Sequence, residues 1–221
     1  LKMYRDGIAV ATTTLSAELS LTSATVPLGM TAVYGFTSNF RIVKGTAVYT
    51  SNFTVPTSPL TAVTNTSLLL KFENGSIVDD ASRNDVEVVG STALSTTVKK
   101  TGVASISFNG STDYLSIPSS NDFEFGAGDF TIEGWVYRSS ATVQQGFIQR
   151  CVNPSVYGPF IFFLNNVGGV TAYLSSTGSS WNLAAGGVIP SGVTANTWHH
   201  IAIVRSGSNL LGFLNGNLVG T

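Results

Sequence analysis

The sequence predicts an all-β protein, a sandwich of two packed antiparallel sheets, on three observations. Side chains alternate with a period of two along Asp113–Pro118 and again along Phe130–Tyr137, in stretches rich in β-branched and aromatic residues. No stretch of ten or more residues carries the period of an α-helix. Short apolar runs instead recur at regular spacing with turn residues between them, a pattern typical of β-sandwiches.

Composition limits the class of function. The chain has 221 residues, enough for one or two domains of about 100–200 residues each. Charged residues make up 10%, against about 25% in an average protein, which favours an extracellular or virion-surface β-protein. The net charge is −1 and no Lys/Arg cluster occurs, so the footprint of nucleic-acid binding is missing. No apolar run approaches the ~20 residues of a membrane-spanning helix, and we expect no membrane insertion.

The first third of the chain predicts two strand regions and an irregular segment. Asp6-Gly7 favours a tight turn between two strands, because both residues tolerate positive φ. Phe36–Val43 predicts a strand with Phe36, Ser38, Phe40 and Ile42 on one face. Lys44–Pro59 reads as irregular, and Thr57–Thr66 as a linker.

The rest of the chain alternates between predicted strands and turns. The central strand is Phe130–Tyr137, with Phe130, Ile132, Gly134 and Val136 facing one way and Thr131, Glu133, Trp135 and Tyr137 the other. Further strands are predicted at Ser67–Phe72, Ser105–Asn109, Gly158–Asn165, Val170–Ser175, Trp198–Arg205 and Leu210–Leu214. Asn215-Gly216 predicts a closing turn of the same kind as Asp6-Gly7.

The two ends of the chain resemble one another. Arg5–Thr12 reads RDGIAVAT and Leu214–Thr221 reads LNGNLVGT, with the turn glycines 216 − 7 = 209 positions apart. Because hairpins resemble one another in general, so short a match means little by itself. Its position at the two ends of the chain makes it more informative.

Three motifs resemble one known family. SISFNGSTDYLSIP, GDFTIEGWVY and WHHIAIVRSGSNLLGFLNG, in this order, are similar to laminin-G-like jelly-roll domains of the concanavalin A-like lectin/glucanase superfamily. The segment RIVKGTAVYTSNFTVPTSPL is similar to the closing segments of tandem jelly rolls in bacteriophage tail and virion proteins. The resemblance implies a concanavalin A-like antiparallel jelly roll.

The resemblance also implies a domain organisation. Residues 1–60 read as the closing strands of one repeat, 57–66 as a linker, and 66–221 as the opening and central strands of the next repeat. Together they are expected to form one β-sandwich, circularly permuted or strand-exchanged. A monomer is favoured, because a short linker gives a high effective concentration, and a strand-exchanged dimer is the alternative. Other repeats of the same protein are expected partners.

Enzymatic activity is not expected. Glucanases of this fold place carboxylates on alternate residues of one strand, so that a nucleophile and an acid flank one glycosidic bond. Glu124, Asp129 and Glu133 are spaced too widely for that pattern. His199 and His200 are adjacent on a predicted strand, so they point to opposite faces and cannot bind one metal together.

Calcium is the one cofactor that the sequence suggests. The polar loop around Asp79, Asp80 and Asn84 concentrates the hard oxygen ligands that Ca²⁺ needs in number. The competing interpretation is a polar turn closed by side-chain hydrogen bonds.

Trp181, Tyr173 and Tyr157 are the candidate ligand-binding residues, because a sugar's C–H face stacks on an exposed aromatic ring. The resulting hypothesis is a non-catalytic adhesion module that binds a glycan or a cell surface, within a larger extracellular or virion protein. A structural spacer or assembly repeat without a small ligand is the alternative.

Overall fold

The structure, a computed structural model, describes residues 2–14, 19, 28, 34–72, 77, 79, 81, 84–151 and 157–220. Within these ranges the chain forms fourteen β-strands and one short 3₁₀ turn at Asn121–Phe123. The strands are β1 Lys2–Thr14, β2 Tyr34–Lys44, β3 Thr66–Leu70, β4 Glu87–Val89, β5 Ala93–Ser95, β6 Ser105–Asn109, β7 Tyr114–Ser116, β8 Phe130–Arg138, β9 Gln145–Arg150, β10 Phe160–Leu164, β11 Val170–Leu174, β12 Ala184–Ile189, β13 Trp198–Ser206 and β14 Asn209–Gly220. No helix of the described residues is long and apolar enough to cross a membrane.

The larger sheet has eight strands in the order β1-β14-β13-β8-β2-β6-β5, with β3 also paired to β2. Strand β2, from the first fifth of the chain, therefore lies in the interior of a sheet whose other central strands come from residues beyond 100. It pairs antiparallel with β8 from Gly35↔Arg138 to Lys44↔Phe130. The strand from the early part of the chain and the strands from the later part are therefore hydrogen-bonded neighbours in one continuous sheet.

The second layer is built from two smaller sheets joined by one residue. Strands β12-β11-β10-β9 form one sheet and β4-β7 the other. Leu28 forms antiparallel bridges to Leu115 of β7 and to Ile148 of β9, and exchanges two backbone hydrogen bonds of 2.9 Å with Leu115. A second early part of the chain thus lies between strands of the later part.

The core between the layers is apolar and closed. Side chains of the two layers that pack there include Phe40, Ile132, Phe147, Phe160 and Phe162, all with at most 2% of their surface exposed. Interdigitating inner faces of two sheets are what define a β-sandwich. The predicted all-β, antiparallel sandwich is confirmed.

The face assignment predicted for β8 is confirmed, and that for β2 is wrong in its first half. Phe36 and Ser38 pair with Tyr137 and Trp135, on the face opposite to Phe40 and Ile42. The register shifts between Ser38 and Arg41, where two residues of β2 lie opposite the single Gly134, and Asn39 takes a φ of 51°. A β-bulge of this kind reverses the alternation of all residues beyond it.

The irregular segment 45–65 contains no strand and covers the outer face of the larger sheet. Val48 N donates to Thr131 Oγ1 at 3.1 Å, and Leu60 N donates to Asn39 Oδ1 at 3.0 Å. The rings of Tyr49 and Phe53 stack at 3.6 Å, and Phe53 lies 5.8 Å from the ring of Phe213 on β14. The bulged Asn39 is thus one of the anchors of this cover.

The Asp6-Gly7 turn predicted near the start of the chain falls within β1, which runs unbroken from Lys2 to Thr14. Its register with β14 shifts on either side of Asp6. The predicted closing turn likewise falls within a strand, because β14 runs from Asn209 to Gly220, although Asn215 and Gly216 have φ of 51° and 82°, the positive values that such a turn requires.

Candidate functional site

A row of aromatic side chains lies on the outer face of the β9–β12 sheet. Phe160, Phe162 and Leu164 of β10 point into the core, so the alternate residue Phe163 points outward. On the neighbouring strand β11 the outward residue is Tyr173, which is half-buried between buried neighbours. Cross-strand pairs on one face of a sheet are close enough for rings to touch.

The structure brings the three predicted ligand residues together. The ring of Trp181 lies 5.2 Å from that of Tyr157 and 5.5 Å from that of Tyr173, and Tyr173 stacks on Phe163 at 5.6 Å. Tyr157 is 39% exposed, and the other three are half-buried. We call these four residues, Tyr157, Phe163, Tyr173 and Trp181, the aromatic cluster.

Phe163 was not among the predicted ligand residues. Its signal was present in the run GPFIFFLN, where the alternation places it opposite to Phe160 and Phe162. A run of three phenylalanines among four residues hides the period, because both faces look equally apolar.

The loop before β12 carries polar groups beside the aromatic cluster. Asn182 and Ser176 are joined by two hydrogen bonds, Ser176 N to Asn182 Oδ1 at 3.0 Å and Asn182 Nδ2 to Ser176 Oγ at 2.7 Å. Gly178 N donates to Ser175 Oγ at 2.9 Å. These bonds close the loop on itself and hold Trp181 beside the sheet.

Two further features mark this face of the sheet. Gln149 of β9 is in register with Ile161, which is in register with Tyr173, so its side chain lies on the same face. It is 4% exposed, and no described residue donates to its Oε1. At the other edge, Gly186 and Gly187 of β12 have open space where a side chain would stand.

A second, fully buried cluster lies under the covering segment of the larger sheet. Glu133 is 0% exposed, and its Oε1 accepts from Arg41 Nε at 3.0 Å and Nη2 at 2.5 Å. Its Oε2 accepts from Tyr49 Oη at 3.0 Å and lies 3.2 Å from Nε2 of the buried His200, without a well-aligned hydrogen bond.

The charges in this cluster are matched. Burial by itself raises the pKa of Glu133. The charge of Arg41, together with His200, lowers this pKa by more than burial raises it, so the net value falls from 4.5 to about 2. Burial lowers the pKa of Arg41, and the Glu133 carboxylate more than offsets this, so the net direction is upward. The pKa of Tyr49 is raised by burial and by the same carboxylate. Glu133 and Arg41 are therefore both charged at neutral pH, and Tyr49 is a neutral donor.

The predicted calcium loop is only partly described, because Asp80 lies outside the described residues. Asp79 is 1% exposed. Its Oδ1 accepts from the backbone of Leu69 and Ala81 at 3.0 and 2.9 Å, and its Oδ2 from Asn84 N and Nδ2 at 3.0 and 2.8 Å. A carboxylate has about four acceptor positions, so calcium would have to displace some of these donors. Within the described ranges no group of three His, Cys, Asp or Glu side chains is placed to hold a metal.

The two adjacent histidines have separate surroundings, as their positions on a strand predict. His199 Nε2 lies 3.1 Å from Thr194 N and its Nδ1 lies 3.1 Å from Asn215 Nδ2, whereas His200 faces Glu133. Cys151 is buried, and burial raises the pKa of its thiol to about 11, so it is a packing residue.

Comparison with protein families identifies the fold family. The family model described as the concanavalin A-like lectin/glucanases superfamily, of the laminin-G type, matches residues 109–221. The chain belongs to this superfamily. The match starts at Asn109, later than the resemblance at residue 66 suggested, and contains β7 to β14. Comparisons with curated proteins and with solved structures returned no match.

Because the superfamily includes glucanases, the surroundings of the three carboxylates named from the sequence matter. Glu133 is sealed from solvent by Arg41 and Tyr49. Glu124 pairs with Arg150 at 3.2 Å, and Asp129 accepts from Gly207 N at 2.7 Å. Each of these three carboxylates therefore makes a structural contact, and each contact lies in a different part of the fold.

Proposed function

We propose that this chain is a non-catalytic module that binds carbohydrate through the aromatic cluster, as part of an adhesion protein at an extracellular or virion surface. The observation that supports it is the gathering of Tyr157, Phe163, Tyr173 and Trp181 on one accessible face. All four come from different strands or loops, and they meet outside the core. Aromatic rings on this face stabilise the fold less than core rings do, because less of their apolar surface is buried. Their exposed surface supports a role in binding a ligand.

The mode of binding follows from the chemistry of the cluster. The C–H face of a pyranose ring stacks on the aromatic faces of Trp181 and Tyr157, while its hydroxyls exchange hydrogen bonds with the amide and hydroxyl groups of the loop Ser175–Asn182. Part of this polar set is already fixed by the Asn182–Ser176 pair, so little ordering is needed on binding. The face carries no described Lys, Arg, Asp or Glu, which favours a neutral sugar.

A glycan array followed by titration calorimetry tests the proposal. For any glycan that binds, Trp181→Ala is expected to weaken the affinity about tenfold or more, which corresponds to about 1.4 kcal/mol. Trp198→Ala is the matched control: Trp198 is also half-buried, but its ring lies 5.6 Å from that of Tyr137 on the other sheet, tilted by 58°, and its loss should leave the affinity unchanged. Equal losses from both variants, or no glycan bound at millimolar concentration, would contradict the proposal.

The second candidate is a structural or assembly repeat with no small ligand. It is favoured by the likeness between Arg5–Thr12 and Leu214–Thr221. On this proposal residues 1–60 are the closing strands of one repeat, 57–66 a linker, and 66–221 the opening and central strands of the next, and the partners are other repeats. An empty glycan array together with a stable fold would favour this candidate.

Bound calcium at Asp79, Asp80 and Asn84 remains a proposal with its own test. If calcium holds this loop, the melting temperature should rise with millimolar Ca²⁺ and fall with EDTA, because a ligand that binds only the folded state stabilises it. Asp80→Asn should abolish the response. An identical melting curve in both solutions would leave the four hydrogen bonds of Asp79 as the whole explanation of the loop.

A further inference from the structure

A second group of aromatic side chains lies on the outer face of the larger sheet. Ile132 and Val136 of β8 pack in the core, so the alternate residue Tyr137 points outward. Tyr137 is in register with Trp198 of β13 on one side and with Phe36 of β2 on the other. We call Phe36, Tyr137 and Trp198 the aromatic row. It lies on the other layer from the aromatic cluster, so it does not depend on the proposed function.

The cover over this face ends before it reaches the aromatic row. Trp135 and His200 are the neighbours of Tyr137 and Trp198 on the same face, and they are 5% and 0% exposed. The ring of Phe53, in the covering segment, lies 6.0 Å from that of His200. All three rings of the row are only half-buried. Contiguous aromatic surface that stays accessible in the middle of a sheet is typical of binding sites.

The rings of the aromatic row do not lie in one plane. The ring of Trp198 lies 5.6 Å from that of Tyr137 and is tilted against it by 58°, and the ring of Phe36 lies 5.5 Å away at 68°. Rings at such angles leave slots beside them that accept the edge of a further ring, because aromatic pairs favour edge-to-face contact. The shape therefore favours a small aromatic group.

The polar groups next to the aromatic row are donors. Nε1 of Trp135 is buried, and no described residue accepts from it. Nζ of the exposed Lys100 lies 4.3 Å from the centroid of the Trp135 ring, and this ring, not a carboxylate, is the contact described for it. An indole N–H and an ammonium can only donate. A ligand group that satisfies both must therefore be an acceptor, and a carboxylate can accept from both at once.

The charges around these donors favour an anion. Glu133 lies on the same strand as Trp135, but it is paired with Arg41 and so adds no net charge. Lys99 is exposed next to Lys100, and its Nζ donates to the backbone at 3.4 Å. The described charges beside the aromatic row therefore sum to a positive value, which a negatively charged ligand complements.

We propose that the aromatic row, with Lys100 and Trp135, is a binding site for a small aromatic carboxylate. The ring of the ligand enters the slots beside Tyr137, and its carboxylate accepts from Lys100 Nζ and Trp135 Nε1. The ammonium turns from the indole to the ligand, since a cation–π contact at an exposed site is weak. The affinity is millimolar, because a half-open site of this size buries little apolar surface.

The test is an NMR titration of the isotope-labelled full chain with hydrocinnamate, and with hydrocinnamamide as the uncharged compound of the same shape. The chain has three tryptophans, so three indole Nε1–H signals report on three places. The signals of Trp135 and Trp198 should shift with one common dissociation constant, while that of Trp181, in the aromatic cluster, should not shift. The amide should bind about threefold more weakly, since an ion pair at an exposed site contributes modestly.

Two lysine variants separate the specific charge from general electrostatics. Lys100→Gln should remove the preference for hydrocinnamate over its amide. Lys99→Gln removes an equal charge from the neighbouring exposed position and should keep the preference. Trp198→Ala, which leaves the glycan affinity of the aromatic cluster unchanged, should abolish the binding of both compounds. Because Lys100 is exposed, its replacement keeps the fold and the test stands should Trp198→Ala fail to fold.

The proposal is overturned if neither compound shifts the signals of Trp135 and Trp198. It is also overturned if acid and amide bind equally, because the row is then an apolar patch that does not recognise a carboxylate. Parallel, unsaturable shifts of all three indole signals would show adsorption without a site. Loss of the preference in both lysine variants alike would assign it to net charge and not to Lys100.

Discussion

Glu133 is the residue whose surroundings say most about how the larger sheet is held together. Its carboxylate is fully buried yet charged, because Arg41 from the paired strand lies against it and Tyr49 from the covering segment donates to it. Three parts of the chain thus depend on one charge. A buried ion of this kind stabilises only while all its partners are present.

Replacing Glu133 by glutamine leaves Arg41 charged and buried without its counter-ion. Unfolding in urea at neutral pH should show a loss of about 3–5 kcal/mol in the free energy of unfolding. Glu87→Gln, the same chemical change at an exposed position of β4, should cost no more than about 0.5 kcal/mol. Similar costs for the two variants would show that the buried pair contributes nothing specific.

The same residue sets an acid dependence. The folded pKa of Glu133 is about 2 and its ordinary value is 4.5, so the folded state holds the proton more weakly than the unfolded state. Its contribution to stability, about 3 kcal/mol, is fully present above pH 4.5 and is lost as the pH falls toward about 2. Unfolding free energies measured across this interval should fall more steeply for the unmutated chain than for Glu133→Gln. Parallel curves would contradict the assignment.

At the scale of single elements, β2 depends on one close approach. A Cβ on Gly35 would overlap the backbone carbonyl of Tyr137 on β8, so only glycine lets the two strands come together there. Gly35→Ala should lower the free energy of unfolding by about 1–3 kcal/mol or more, through forced displacement of the pairing.

Gly186→Ala provides the matched control for this element. Gly186 also lies in a strand, β12, but nothing stands near the position of its missing Cβ. The change should leave the free energy of unfolding nearly unchanged or raise it by about 0.4–1 kcal/mol, because alanine restricts the unfolded chain. If the control lost as much as Gly35→Ala, strand propensity and not the contact with Tyr137 would be the cause.

The elements also show what the sequence can and cannot predict. Strand β8 was predicted with the correct faces, since its alternation is unbroken over nine residues. Strand β2 was predicted over Phe36–Val43, within its observed span Tyr34–Lys44, but Phe36 and Ser38 were placed on the wrong face. The reason is that a bulge is set by the register with β8 and leaves no period of its own. The pairing of Arg41 with Glu133 was hidden for the same reason.

The candidate ligand site could also be predicted from the sequence only in part. Trp181, Tyr173 and Tyr157 were chosen as aromatic residues in loop-like or alternating stretches, which is local information. That they meet in space depends on the order of β10, β11 and β12 in the sheet, which no local pattern contains. Phe163 points outward by the alternation of β10, and it joins them because β10 is paired with β11.

At the scale of the whole molecule, the sandwich is built from both ends of the chain. Strand β2 lies between β8 and β6, and Leu28 lies between β7 and β9, so early residues are interior in both layers. The family model covers residues 109–221, and the chain before it completes the same sheets. A strand taken from the middle of a sheet exposes two edges and an apolar face, so the layers should not be stable without it.

Native-state hydrogen exchange, resolved to single amides, tests this most directly. The account predicts that the amides of Phe40, Arg41 and Ile42 in β2 exchange only through global unfolding, with the same opening free energy as those of Ile132 and Glu133 in β8. If the β2 amides instead opened several kcal/mol more easily while β8 stayed protected, the early strand would be an accessory laid on a finished sandwich, and the central claim would be wrong.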